Sequence, residues 1–219
     1  VTTFWGTWGT KSKNDVRQGA TISGIIDGVH EEIAMNQGML EAELDRLYPS
    51  TDGVEMGESA EHIYMMAFLF ENFRSLFVNQ NVAVHADLFW YPVQDRPNIR
   101  RAPDLMVILD RPANLKRKSY RQWLENDVPA TLVIELLSES NSAEEMKQRR
   151  AFYRKYGVRE YYEIKEETNE VTVWLLENGK FIKQKKITSF TSPSTGVTFD
   201  WGSGGLVVTA PDGTPFLSG

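Results

Sequence analysis

Apolar residues recur at helical spacing in two early stretches, then in alternation or in short runs. Over 29–47, Met35, Met39, Leu40, Leu44 and Leu47 follow three- and four-residue steps and predict a helix. The turn-forming run Tyr48-Pro49-Ser50-Thr51-Asp52-Gly53 closes it. A second helix is predicted from about Ser59 to Phe77, with Ser59 as N-cap and Ile63, Met66, Ala67, Phe70 and Phe73 as its buried stripe. Strand-like segments come next. Residues 82–92 alternate and are rich in Val and aromatics, and 104–109 follow Pro103 directly. Residues 131–137 form a nearly continuous apolar run, as in a strand buried on both faces. The polar cluster 138–142 caps a third helix over about 143–156, which Gly157 ends. A strand at 158–164 and a hairpin follow, the latter pairing 171–176 with 180–187 around Asn178-Gly179. The C-terminal part is Gly-rich and short-stranded, and residues 1–22 read as an irregular or mobile extension. Helix, strands, helix, strands gives an α/β or α+β fold around a mixed sheet.

Composition narrows the chemistry. The chain has 219 residues, 41% hydrophobic and 25% charged, which suits one globular domain with an extension. There are no cysteines. Disulfides and thiolate metal sites are excluded, and an intracellular, cytoplasmic setting is expected. His30, His62 and His85 show no metal-ligand spacing, so any metal is a hard cation held by oxygens. No apolar run approaches the ~20 residues that span a bilayer, and no secretory signal is evident. The net charge of -6 argues against nonspecific nucleic-acid binding unless positive charge is locally concentrated. The stretch 95–121 supplies such a concentration: Arg96, Arg100, Arg101, Arg111, Lys116, Arg117, Lys118 and Arg121 stand against Asp95, Asp104 and Asp110. It reads equally well as a solvated loop.

Carboxylates inside apolar strands carry the most information, because a buried ionised carboxylate must be paired, protonated or metal-bound. Asp104 begins one buried strand and Glu135 interrupts another. Asp87 lies on a third, and Glu58 stands just before the second helix. Two or three such groups converging would hold Mg²⁺ or Mn²⁺. Phosphodiester hydrolysis needs an ion of this kind to activate water and neutralise phosphate charge. Each residue also has a structural reading. Glu135 can pair with Arg101 or Arg149, Asp104 can start a strand, Asp87 can satisfy local backbone donors, and Glu58 can favour a helix N-terminus. His62 and His85 read as structural, with His62 a possible cleft residue.

The segments 49–53, 86–93, 100–108, 119–127, 131–141 and 152–164 occur in the order and form that resemble the Uma-two family of restriction-endonuclease-type proteins. The resemblance covers about residues 46–215, leaving 1–45 as an N-terminal extension and 46–219 as the domain. It implies a restriction-endonuclease-like core with a PD-(D/E)xK-type site, acting on DNA, and a homodimer. Pro103-Asp104 is then the PD element and Glu135 the second acid. Glu58 is an additional metal ligand, and Asp87 lines the cleft. Arg100, Arg101, Lys116, Arg117 and Lys118 become the nucleic-acid-binding residues. The family lysine departs: two residues beyond Glu135 stands Leu137, and the alternative position in the following helix is Arg149. Met146, Arg149, Tyr153 and Tyr156 share one helical face, so Arg149 is expected to point at Glu135, while Lys147, about 200° from it, points elsewhere. An arginine stays charged and cannot act as a general base. The expected activity is therefore a metal-dependent endonuclease, or an impaired one serving as a nucleic-acid-binding or interaction module.

Overall fold

The computed structural model describes residues 22–50, 59–113, 115–202 and 204–217. The chain divides into two compact units, Val1–Glu43 and Leu44–Gly219. Helix α1 (Ile22–Leu47) starts earlier than its pattern predicts. Its apolar positions Met35, Met39, Leu40 and Leu47 are exposed. Among the described residues no helix is long and apolar enough to cross a membrane.

The second unit is a mixed α/β fold built on a six-stranded sheet in the order β1-β3-β5-β6-β7-β8. These strands are β1 (Val82–His85), β3 (Leu105–Leu109), β5 (Leu132–Leu137), β6 (Glu160–Lys165), β7 (Val171–Glu177) and β8 (Lys180–Lys183). Only β5 and β6 run parallel, because helix α3 (Ala143–Lys155) carries the chain back between them. Every other neighbouring pair is antiparallel. Residues 82–92 form two strands rather than one. The chain leaves β1, turns at Asp87 with φ 45°, and resumes as the short β2 (Trp90–Tyr91). β2 pairs with β4 (Tyr120–Arg121), a strand that periodicity does not reveal in only two residues.

Strand alternation divides the core. One face carries Leu105, Val107, Leu132, Ile134, Leu136 and Tyr162 against α2 (Ala60–Leu76). A small sheet of β9 (Ser189–Thr191), β10 (Thr198–Asp200) and β11 (Val207–Thr209) adds Phe199 and Val208 to that side. The other face carries Met106, Ile108, Val133 and Tyr161 against α3, Trp90 and Tyr120. Ser59 and Ser142 cap α2 and α3, each side chain accepting from the backbone N–H three residues on. The buried stripe of α2 is rotated from its predicted position. Leu69 and Phe73 are buried, Met66 and Phe70 are half-buried, and Ile63 and Ala67 are exposed. The mixture of small and large apolar residues around this helix left its inward face ambiguous.

Candidate functional site

The two strands richest in apolar residues bring their acids together. β3 and β5 pair with Leu105 opposite Ile134, and continuing that register one residue sets Asp104 opposite Glu135. β5 and β6 pair with Glu135 beside Glu163. Asp104, Glu135 and Glu163 thus occupy one row across three strands. Continuing the β1–β3 register carries Asp87 toward the same row, and its N–H donates to the Pro103 carbonyl at 3.0 Å. Asp87 is nevertheless exposed, since the chain has already turned out of β1.

Glu135 is fully buried. One of its oxygens accepts from the Arg149 guanidinium and the other from the Tyr153 hydroxyl. Both donors project from the α3 face, as the three- and four-residue steps predict. Lys147 points away, largely exposed beside Glu144. Arg149 also donates to Glu145 at 2.7 Å from one guanidinium nitrogen and 3.2 Å from Nε. Burial pushes the Glu135 carboxyl up to about 8, and the Asp104 charge adds to the rise while Arg149 and Tyr153 work against it. Burial disfavours the Arg149 charge, but Glu135 and Glu145 outweigh it and hold the guanidinium above its ordinary range. The Arg149 hydrogen bond lowers Glu145.

Asp104 is oriented from two sides. Its Oδ2 accepts from Leu136 N–H at 2.6 Å, and its Oδ1 lies 3.6 Å from His62 Nε2. His62 in turn bonds Glu166 through Nδ1 at 2.5 Å. Glu166 lies one residue beyond β6, and Ser59 Oγ reaches its other oxygen at 3.5 Å. The start of α2 and the end of β6 therefore meet at the Asp104 side of the row. His62 carries a carboxylate on each ring nitrogen side, a placement that its position on a helix did not reveal. His85 packs elsewhere, and burial drives its pKa down to about 4, with Arg117 contributing. It is a half-buried residue held neutral.

The basic stretch separates into different roles. Arg117 is buried and grips Glu125 through two nitrogens, at 2.6 and 3.1 Å, besides donating to the Pro112 carbonyl at 3.0 Å. It braces the loop and presents no free charge. Lys118 is exposed but bonds Asp45 at 2.6 Å, and Arg121, buried, binds the same carboxylate. Arg100 lies over the Phe89 ring at 4.8 Å. Arg101 is half-buried, paired by its backbone with Trp90, and its charge reaches Glu145. Lys116 is exposed. Glu58 lies outside the described residues.

Several participants escaped the sequence reading. Glu145 sits four residues before Arg149, a spacing that marks an ion pair on a helix. Glu163 and Glu160 interrupt an apolar strand just as Glu135 does, and the same criterion finds them. Glu163 binds Arg150 at 2.5 Å, and burial raises its pKa. Glu160 accepts from Tyr162 and from Ser194 N–H, both at 2.7 Å, which ties the strand to the chain beyond β9. Glu166 carries no local signal.

The donor set fits a hard cation in chemistry and in number. Mg²⁺ is commonly held by one or two carboxylates together with water and substrate phosphate, not by an all-protein cage. Asp104 and Glu135 supply two, side by side in the row across β3 and β5. Among the described residues no three His, Asp or Glu side chains gather as a cation site.

Comparison with known proteins places the chain. No curated protein sequence matches it. Among solved structures, one from Anabaena variabilis, described as "a putative nuclease belonging to DUF820", aligns with a TM-score of 0.49 and 14% identity over 67% of this chain and 82% of its own. The profile of the Uma2 family, described as "Putative restriction endonuclease", matches residues 52–202, a span that contains Asp104, Glu135 and Arg149, and the chain belongs to that family.

Proposed function

We propose that the chain is a divalent-cation-dependent endonuclease acting on DNA. The observation that supports it best is the pairing of Asp104 with Glu135 across β3 and β5, where the Asp104 charge raises the Glu135 carboxyl. Asp104 and Glu135 hold Mg²⁺ or Mn²⁺, with Glu58 as a further ligand. When bound, the cation activates water and neutralises charge at the scissile phosphate.

The chain's own groups do the rest. Leu136 N–H fixes the Asp104 carboxylate, and Tyr153 fixes Glu135. Arg149 stays protonated throughout and stabilises negative charge on the phosphate, but it takes no proton. Asp87 and His62 border the cleft. Arg100, Arg101 and Lys116 contact the nucleic-acid backbone, whereas Arg117 and Lys118 are held by Glu125 and Asp45.

A second reading has its own observation. Arg149 occupies Glu135 where a lysine would leave more freedom, so the guanidinium and a cation compete for one carboxylate. On that reading the chain is a nuclease scaffold with impaired chemistry that binds nucleic acid. A cleavage assay on plasmid and single-stranded DNA with Mg²⁺ and Mn²⁺ separates the two. The enzyme cuts with a cation, stops in chelator, and loses activity in Glu135→Gln while remaining folded. Cleavage that persists in Glu135→Gln removes the assigned site. DNA binding without cleavage by the unaltered protein supports the scaffold.

A further inference from the structure

Helix α1 lies outside the residues matched by the family profile. Ile26, Ile33, Leu40 and Leu47 are spaced by seven residues, and Val29 falls between the first two at the complementary position. A strict seven-residue repeat does not keep to one face of a straight helix of 3.6 residues per turn. It drifts, and the drift is removed when two such helices supercoil. All five side chains are 43–59% exposed. Asn36 occupies the next complementary position and Glu43 the last. Polar residues in such a seam restrict register and oligomer state at some cost in stability, and here there are two of them.

From this repeat we infer that α1 is a dimerisation element: the seam of Ile26, Val29, Ile33, Leu40 and Leu47 packs against the same seam of a second copy of this chain as a two-stranded coiled coil. The occupant is a second copy because the periodicity is the one a helix needs to match a helix like itself. The size is sufficient. At roughly 100 Å² of exposed surface per seam residue, two copies bury about 1,000 Å², the lower bound for a specific interface, before flanking residues are counted. The helix has 26 residues, between three and four heptads, enough for such a pairing.

The test is light scattering on the full chain from low to high micromolar concentration, with three variants. The unaltered protein is expected to be dimeric. Ile33→Glu combined with Leu40→Glu is expected to be monomeric, with its far-ultraviolet circular dichroism and thermal transition otherwise retained. Met35→Glu, on the opposite side of α1, is expected to stay dimeric. Asn36→Leu is expected to dimerise at least as tightly or to form higher oligomers. A protein that is monomeric at every concentration overturns the proposal and leaves the face to another partner. A dimer that survives the double substitution, or that Met35→Glu dissolves equally, places any interface elsewhere.

Discussion

The most quantitative consequence concerns pH. Burial, reinforced by Asp104, pushes the Glu135 carboxyl from an ordinary 4.5 up to about 8. Between those values the folded chain retains a proton that the unfolded chain has released. Stability contributed by this group is therefore complete below the unfolded pKa, falls as pH rises, and levels off above about 8. The slope approaches about 1.4 kcal/mol per pH unit within the window, and the full span is on the order of 5 kcal/mol. Urea unfolding in chelator, at intervals from pH 5 to above pH 8, measures it. Glu135→Gln supplies the control, because it keeps the shape of the side chain and has no proton to exchange. Glu163, whose pKa burial also raises, contributes the same trend to both proteins and cancels in the difference. The unaltered chain should lose stability relative to Glu135→Gln by about one kilocalorie per mole or more for each unit between pH 5 and 7. Parallel curves, or a relative gain with rising pH, would show that Glu135 is ionised in the folded chain and that its ion pair with Arg149 dominates.

Three further outcomes follow from other parts of the structure. Arg149→Lys is expected to raise metal-dependent cleavage, measured as initial rate on plasmid, if competition for Glu135 limits the enzyme; an equal or lower rate shows that the guanidinium is the preferred cation. Arg117→Ala leaves the Glu125 carboxylate without its buried partner and is expected to cost about 3–5 kcal/mol in urea unfolding, with a loss below ~1 kcal/mol contradicting the assignment. Gly157→Ala forces a side chain to φ 89°, with its Cβ 3.4 Å from Pro129 Cγ, and is expected to cost about 1–2 kcal/mol. An unchanged midpoint there would mean that the turn after α3 relaxes.

Local chemistry made much of this fold legible. Ser59 and Ser142 announce their helices because a side-chain oxygen must satisfy free N–H groups at a helix start. Asn178-Gly179 announces the β7–β8 hairpin because both residues adopt positive φ. The family resemblance singled out Arg149, and helical spacing then put it on the face that turns toward Glu135. What escaped depended on partners remote in sequence. The break at Asp87 is held by a bond to Pro103, sixteen positions away, and β4 exists only because Trp90 and Tyr91 offer it an edge. Charge density in 95–121 suggested one basic face, yet Glu125 and Asp45 neutralise Arg117, Lys118 and Arg121, and composition does not say which carboxylate reaches which cation. Glu166 reaches His62 only because β6 ends beside the start of α2.

A crystal structure of the protein grown with Mn²⁺ and a short DNA duplex, with the ion located by its anomalous scattering, tests the cation centre most directly. One ion within coordination distance of both Asp104 and Glu135, with Arg149 turned from Glu135 toward a phosphate, is the arrangement expected. Duplex bound with no ion between those carboxylates, and Arg149 still on Glu135, would contradict it.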